Sequence, residues 1–72
     1  MSLGANREKE LCHRLYHELL HHNGSMPLAK ATALLEEWAP GQSANLLALG
    51  AGFGRYSLFN NMGGILHVRR RA

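Results

Sequence analysis

Residues 17–27 read HELLHHNGSMP and contain His-Glu-x-x-His at His17, Glu18 and His21. Metalloproteases use this spacing on a helix. Positions i and i+4 bring two imidazoles to one zinc ion, and the glutamate between them activates the metal-bound water. A catalytic zinc also needs a third protein ligand. In the extended pattern that ligand is a histidine three positions after a glycine. Gly24 is present here, but Pro27 stands where the histidine would be. On a helical wheel Leu11, Cys12, Leu15, Tyr16, Leu19 and Leu20 span one half, and His13, His17 and His21 stripe the other with Glu10 and Arg14. The histidines are therefore expected to form a solvated polar face, able at most to bind nickel or zinc weakly and incidentally. No metal site and no cofactor is predicted.

Two further stretches invite a chemical reading. Gly50-Ala51-Gly52-Phe53-Gly54 has the glycine content of a nucleotide-binding loop. A dinucleotide fingerprint, however, follows a strand, opens a helix and is followed by an acid about 20 residues on. This one follows a short helical segment, and no acid occurs after Glu37. A structural corner is expected. Cys12, on the apolar side of the first helix, is expected to be a small buried hydrophobe and not a nucleophile. No nucleophile–base pair or complete metal set can be assembled, so no catalytic residue is assigned and a non-enzymatic module is predicted.

The basic residues carry more. Arg55, Arg69, Arg70 and Arg71 all lie after Glu37, the last acid of the chain, and net charge is +3. Arginine pairs phosphates bidentately, and several on one surface build the salt-dependent attraction of nucleic-acid binders. Tyr56, next to Arg55, could stack on an unpaired base. Lys30 completes the candidate set. The competing reading of the arginine run is a solvated terminus.

These residues must be held by a small scaffold. Seventy-two residues support one domain, which buries only about 60% of its unfolded surface. A 46% hydrophobic and 18% charged composition is that of a globular chain and not of a disordered tail. No apolar run approaches the roughly 20 residues that span a bilayer, and the first ten residues lack the apolar core of a secretory signal. Residues 1–5 are expected to be a flexible N-terminus or cloning remnant, and 6–72 the single domain. One cysteine forbids an internal disulfide. The expected compartment is the cytoplasm, including ribonucleoprotein granules, with the nucleus also open.

The first helix is predicted from Asn6, as N-cap, to His22, stopped by Asn23-Gly24. Ser25 to Leu28 is an extended link. A second helix runs from Pro27 or Leu28 to Trp38, with Leu28, Ala31, Leu34, Leu35 and Trp38 on one side. Ala39-Pro40-Gly41-Gln42 stops it. Ser43 is expected to cap a third helix, Ala44 to Leu49. Arg55 to Met62 is expected to add one or two helical turns that bury Phe53, Leu58 and either Phe59 or Met62. Gly63-Gly64 is a turn, and Ile65 to Arg69 a short strand whose best partner is the Ser25–Leu28 link. The fold class is mainly α: a small winged helix-turn-helix with a short two-stranded sheet. A four-helix bundle competes with it.

Three segments bring a family into view: Gly24-Ser25-Met26-Pro27-Leu28, then Gly52-Phe53-Gly54-Arg55-Tyr56-Ser57-Leu58-Phe59, then Gly64-Ile65-Leu66-His67-Val68-Arg69-Arg70. Together they resemble the LOTUS domain, also called OST-HTH, over about Leu11 to Arg71. Members show a glycine and a short "pLs" strand after the first helix, a "Gf.kfs.Ll" segment, and a last strand of the "fevrr" kind. The chain departs from that pattern at Asn60-Asn61, where an apolar and charged continuation is usual, and at Ala51 and Gly52, which make the corner richer in glycine. The resemblance implies a winged helix without catalysis, found in germ-granule Tudor proteins and beside nuclease domains. It also implies RNA binding, including G-rich or structured RNA, or in an extended subgroup the docking of a DEAD-box helicase. That subgroup adds a helix after the last strand, for which nothing is visible before Ala72.

The leading expectation is therefore an RNA-binding winged helix within a larger RNA-regulatory protein. Arg55, Arg69, Arg70 and Arg71 would contact phosphate, and DNA is the second candidate ligand. The alternative is a protein-interaction module that docks an RNA helicase or a copy of itself, favoured if Trp38 lies at the surface. No membrane partner is expected.

Overall fold

The computed structural model describes residues 4–52 and 54–69. Its elements are α1 (Ala5–His21), β1 (Ser25–Pro27), α2 (Leu28–Trp38), α3 (Ser43–Gly50), β2 (Phe59–Met62) and β3 (Ile65–Val68). The chain is mainly helical, with three helices against a three-stranded antiparallel sheet of order β1-β3-β2.

Helix α1 forms because Leu11, Cys12, Leu15 and Leu19 recur on one face, and all four are completely buried. It starts one residue ahead of the predicted Asn6. Gly4 is its N-cap, without a side-chain cap. Asn6 therefore lies inside the first turn, where its amide does not serve as the cap. The carbonyl of Gly4 accepts the Glu8 N–H at 3.0 Å. Leu20 corrects the wheel reading, because it is 49% exposed. It sits at the margin of the apolar arc, next to the fully buried Leu19.

The end of α1 follows the sequence closely. Asn23 takes φ 61° and Gly24 φ 91°, and the Gly24 N–H donates to the Leu19 carbonyl at 2.7 Å. That turn launches β1 straight along β3, in the register Ser25↔His67, Met26↔Leu66 and Pro27↔Ile65. The expected pairing of the link with the terminal strand is present. Pro27 occupies an edge strand, the position in a sheet where its missing N–H costs no ladder bond.

The sheet has one strand more than the predicted two. Residues 55–62 do not form the expected helical turns; Phe59–Met62 is β2 and pairs with β3 in the register Phe59↔Val68 to Met62↔Ile65. Gly63 (φ 61°) and Gly64 (φ 82°) are the two central residues of this hairpin turn. Positive φ at both positions is the primed geometry whose twist matches that of paired strands. A helix through Met62 would forfeit that ladder. Phe59 is buried while Met62 is 67% exposed, which settles which of the two enters the core. Phe53 lies outside the described residues.

The core gathers Leu11, Leu15, Leu19, Leu35, Leu46, Leu66 and Phe59 from all three helices and both strands of the hairpin. Each fully buried leucine contributes about 2 kcal/mol through water exclusion. No charged or polar side chain is buried with them among the described residues.

The α2–α3 corner is held by a residue seven positions upstream of its target. Glu36 accepts the Gly41 N–H at 2.9 Å and the Ser43 N–H at 3.0 Å. Hydrogen bonds from the Ser43 hydroxyl and from these two amides hold its carboxyl below the usual carboxylate range. Ser43 is the first residue of α3 and Gln42 its N-cap, so the predicted Ser43 cap is replaced by the Glu36 carboxylate. An anion at a helix N-terminus also suits the helix dipole.

Candidate nucleic-acid interface

The glycine-rich corner is a packing device. A Cβ on Gly50 would overlap three atoms of the Phe59 ring, and one on Gly54 would overlap the Ala48 and Leu49 carbonyls. Only hydrogen fits at either place. The corner is then tied to the end of α3, with the Tyr56 N–H donating to Leu49 O at 2.9 Å and the Leu58 N–H to Gly50 O at 2.8 Å. The Ser57 hydroxyl donates toward the carbonyls of Gly52 and Gly54.

This corner positions two arginines. Arg55 is carried on it and exposed. Arg69, at the end of β3, donates from Nη1 to the Gly52 carbonyl at 2.8 Å, and its backbone N–H donates to Leu58 O at 2.9 Å. The guanidinium is thus tethered by one N–H while most of its donors stay in solvent. Among the described residues no carboxylate pairs with either arginine; the ion pair found is Arg7–Glu10 in α1. Arg70 and Arg71 lie outside the described residues.

Lys30 is not part of this group. It sits in the first turn of α2, whose Leu28 N–H bonds the Gly64 carbonyl at the opposite end of β3 from Arg69. The rise along Ile65 to Arg69 separates the two ends by roughly 13 Å. Tyr56 is half-buried against the core, and its hydroxyl donates to the Ala5 carbonyl at 3.3 Å. The ring pins the corner to the start of α1 and is not presented as a free stacking surface.

The sheet supplies residues that the sequence reading passed over. Ile65, His67 and Arg69 alternate with the buried Leu66, so they point away from the core. Across the ladders, Ser25 and Asn60 flank His67, and Pro27 and Met62 flank Ile65. The alternation of Ile65-Leu66-His67-Val68-Arg69 is the signal that would have found them.

The other chemical candidates resolve simply. Cys12 is fully buried with its Sγ 3.5 Å from the Leu46 carbonyl, and burial, aided by nearby Glu8, pushes its thiol up to about 11. So little thiolate exists near neutrality that nucleophilic chemistry is suppressed. His17 and His21 are exposed, and the His17 ring meets Tyr16 edge-on. Among the described residues no three His, Cys, Asp or Glu side chains are placed to share a metal ion. Trp38 is half-buried and packed on the core, with the Arg14 guanidinium 4.3 Å above its ring. Among the described residues no helix is long and apolar enough to cross a membrane.

No protein-family model matches the chain, and neither the curated proteins nor the solved structures include a match to it.

Proposed function

We propose that this chain is a non-catalytic RNA-binding module of winged-helix type. The order helix, short strand, two helices and a hairpin supports the winged-helix reading, as does the resemblance to LOTUS domains. The observation that carries the functional reading is the pair Arg55 and Arg69, exposed on one glycine corner and without a carboxylate partner among the described residues. A guanidinium already oriented by one backbone carbonyl loses less freedom when it takes up a phosphate.

RNA is favoured over duplex DNA by the chemistry of α3. A helix-turn-helix protein reads the DNA major groove through its second helix, commonly with Arg, Lys, Asn or Gln side chains at base edges. Here α3 is SANLLALG, with no charged residue, and the amide of Asn45 already donates to Glu8 at 2.9 Å. The protein-docking alternative leaned on Trp38, which Arg14 covers. What still favours it is the exposed Leu20 on α1.

The test is RNA binding by the whole chain at two salt concentrations. Neutralising phosphates with arginine releases counterions, so affinity should fall steeply as salt rises. Salt-independent binding, or none to any RNA, would remove the proposal.

A further inference from the structure

The outer face of the sheet is uncovered by any helix of the described chain, and its composition is unusual for a solvated face. Two large hydrophobics stand on it as cross-strand partners, Met62 at 67% and Ile65 at 37% exposed, with Pro27 exposed on the other side of Ile65. The next row is polar: Ser25, His67 and Asn60. Beyond it stands Arg69, which leans with Asn60 against Gly52, whose missing side chain lets the corner close over that end. No acid lies on this face. From the tip of the hairpin to the corner it therefore runs apolar, then imidazole and amide, then cation.

We propose that this face is the binding platform for single-stranded RNA. This rests on the RNA-binding reading above and names the form of its ligand. Unpaired bases offer apolar faces, which Met62, Ile65 and the His67 ring can cover, and polar edges, which Asn60 and Ser25 can meet. Their phosphates are complementary to Arg69 and Arg55 at the corner end. The face measures about 10 Å across its three strands and about 13 Å along them, enough for about two splayed bases. Paired bases hide their faces in the stack and could use only the cationic end. The platform is also continuous with Arg69, which follows β3 and lies against Gly52, so one strand can engage both.

The test is a titration of the isotope-labelled chain, read by amide shifts and by affinity. The ligands are a short mixed-sequence RNA, the same RNA annealed to its complement, and the DNA strand of the same sequence. The expected result is at least roughly tenfold tighter binding of single strand than duplex, with the largest shifts at Ser25, Asn60, Met62, Ile65 and His67. His67→Ala and Met62→Ala should each weaken single-strand binding by roughly tenfold and leave duplex binding unchanged. The shift map needs no variant, so it decides even if a substitution unfolds the hairpin. A DNA strand bound as tightly as RNA would keep the platform but deny it selectivity for RNA, and so overturn the RNA assignment. Salt-dependent RNA binding with equal duplex affinity, or with shifts on the helices alone, would overturn the platform and leave the broader RNA reading standing. Shifts of the same amides with protein concentration alone would assign the face to a second copy and also overturn it. Absence of any RNA binding removes both.

Discussion

The ring of Phe59, the first residue of β2, lies against Gly50, the last residue of α3, so closely that no Cβ can stand between them. This contact joins the helical half of the domain to the hairpin. It puts Phe59 in the core and turns the chain from α3 toward the sheet. The corner between them then reaches Arg69 through the Gly52 carbonyl. The glycines that resembled a phosphate-binding loop are present because backbone and aromatic ring pack where side chains would stand.

Gly50→Ala should therefore destabilise the domain by about 3 kcal/mol, the upper range of overpacking a closed core. Urea denaturation measures this directly. Gly4→Ala, where a Cβ meets nothing within 4 Å and only the poorer N-cap preference of alanine counts, is the comparison and should cost no more than about 1 kcal/mol. A wild-type midpoint for Gly50→Ala would mean that the Phe59 ring can move aside without cost.

Glu36 makes stability depend on acid. Its folded-state carboxyl titrates below the unfolded one, so the unfolded chain binds more protons in the interval between them, and stability there rises with pH. The contribution is complete above about 4.3, the ordinary glutamate value, and is lost as pH falls through the folded value. Glu36→Gln should be less stable than wild type near neutrality, and the gap should close in acid. A gap that stays constant down to acid pH would separate the cap from its charge.

The His-Glu-x-x-His sequence should hold no stoichiometric zinc. Elemental analysis of the purified chain is expected to find less than one equivalent, and His17→Ala should leave that content unchanged. Tightly bound zinc that disappears in His17→Ala would reverse this account of α1.

Much of the scaffold was legible in the sequence. Leucine periodicity outlined α1 and α2, Asn23-Gly24 marked their boundary, and alternation in Ile65–Val68 pointed to β3 and its pairing with the link. The strand β2 was not legible because Phe59-Asn60-Asn61-Met62 lacks β-branched residues and holds two asparagines, which strands disfavour. Its cause lies outside it, in the Gly63-Gly64 turn and the pocket that Gly50 leaves for Phe59. Gly63-Gly64 between two short runs was a hairpin signal in plain view. The α3 cap was hidden for a related reason, since Glu36 reaches it only after the Pro40-Gly41 turn has folded. For the site, sequence alone picked out the arginines. It could not show that Arg69 and Arg55 share one corner while Lys30 stands at the other end of the sheet, because that depends on register. The outer face with His67 and Met62 needed the third strand before it existed at all.

The most direct test of the RNA-binding account is the salt dependence of RNA affinity for wild type and for the Arg55→Ala, Arg69→Ala double variant. On a logarithmic plot of association constant against salt, each arginine that contacts phosphate should account for about 0.7 of the slope on a single strand. The account predicts a variant slope shallower by about 1.4, with affinity reduced and the fold intact by circular dichroism. A folded variant with unchanged slope and affinity would contradict it, and would place any RNA contact away from the corner that Gly52 and Arg69 build.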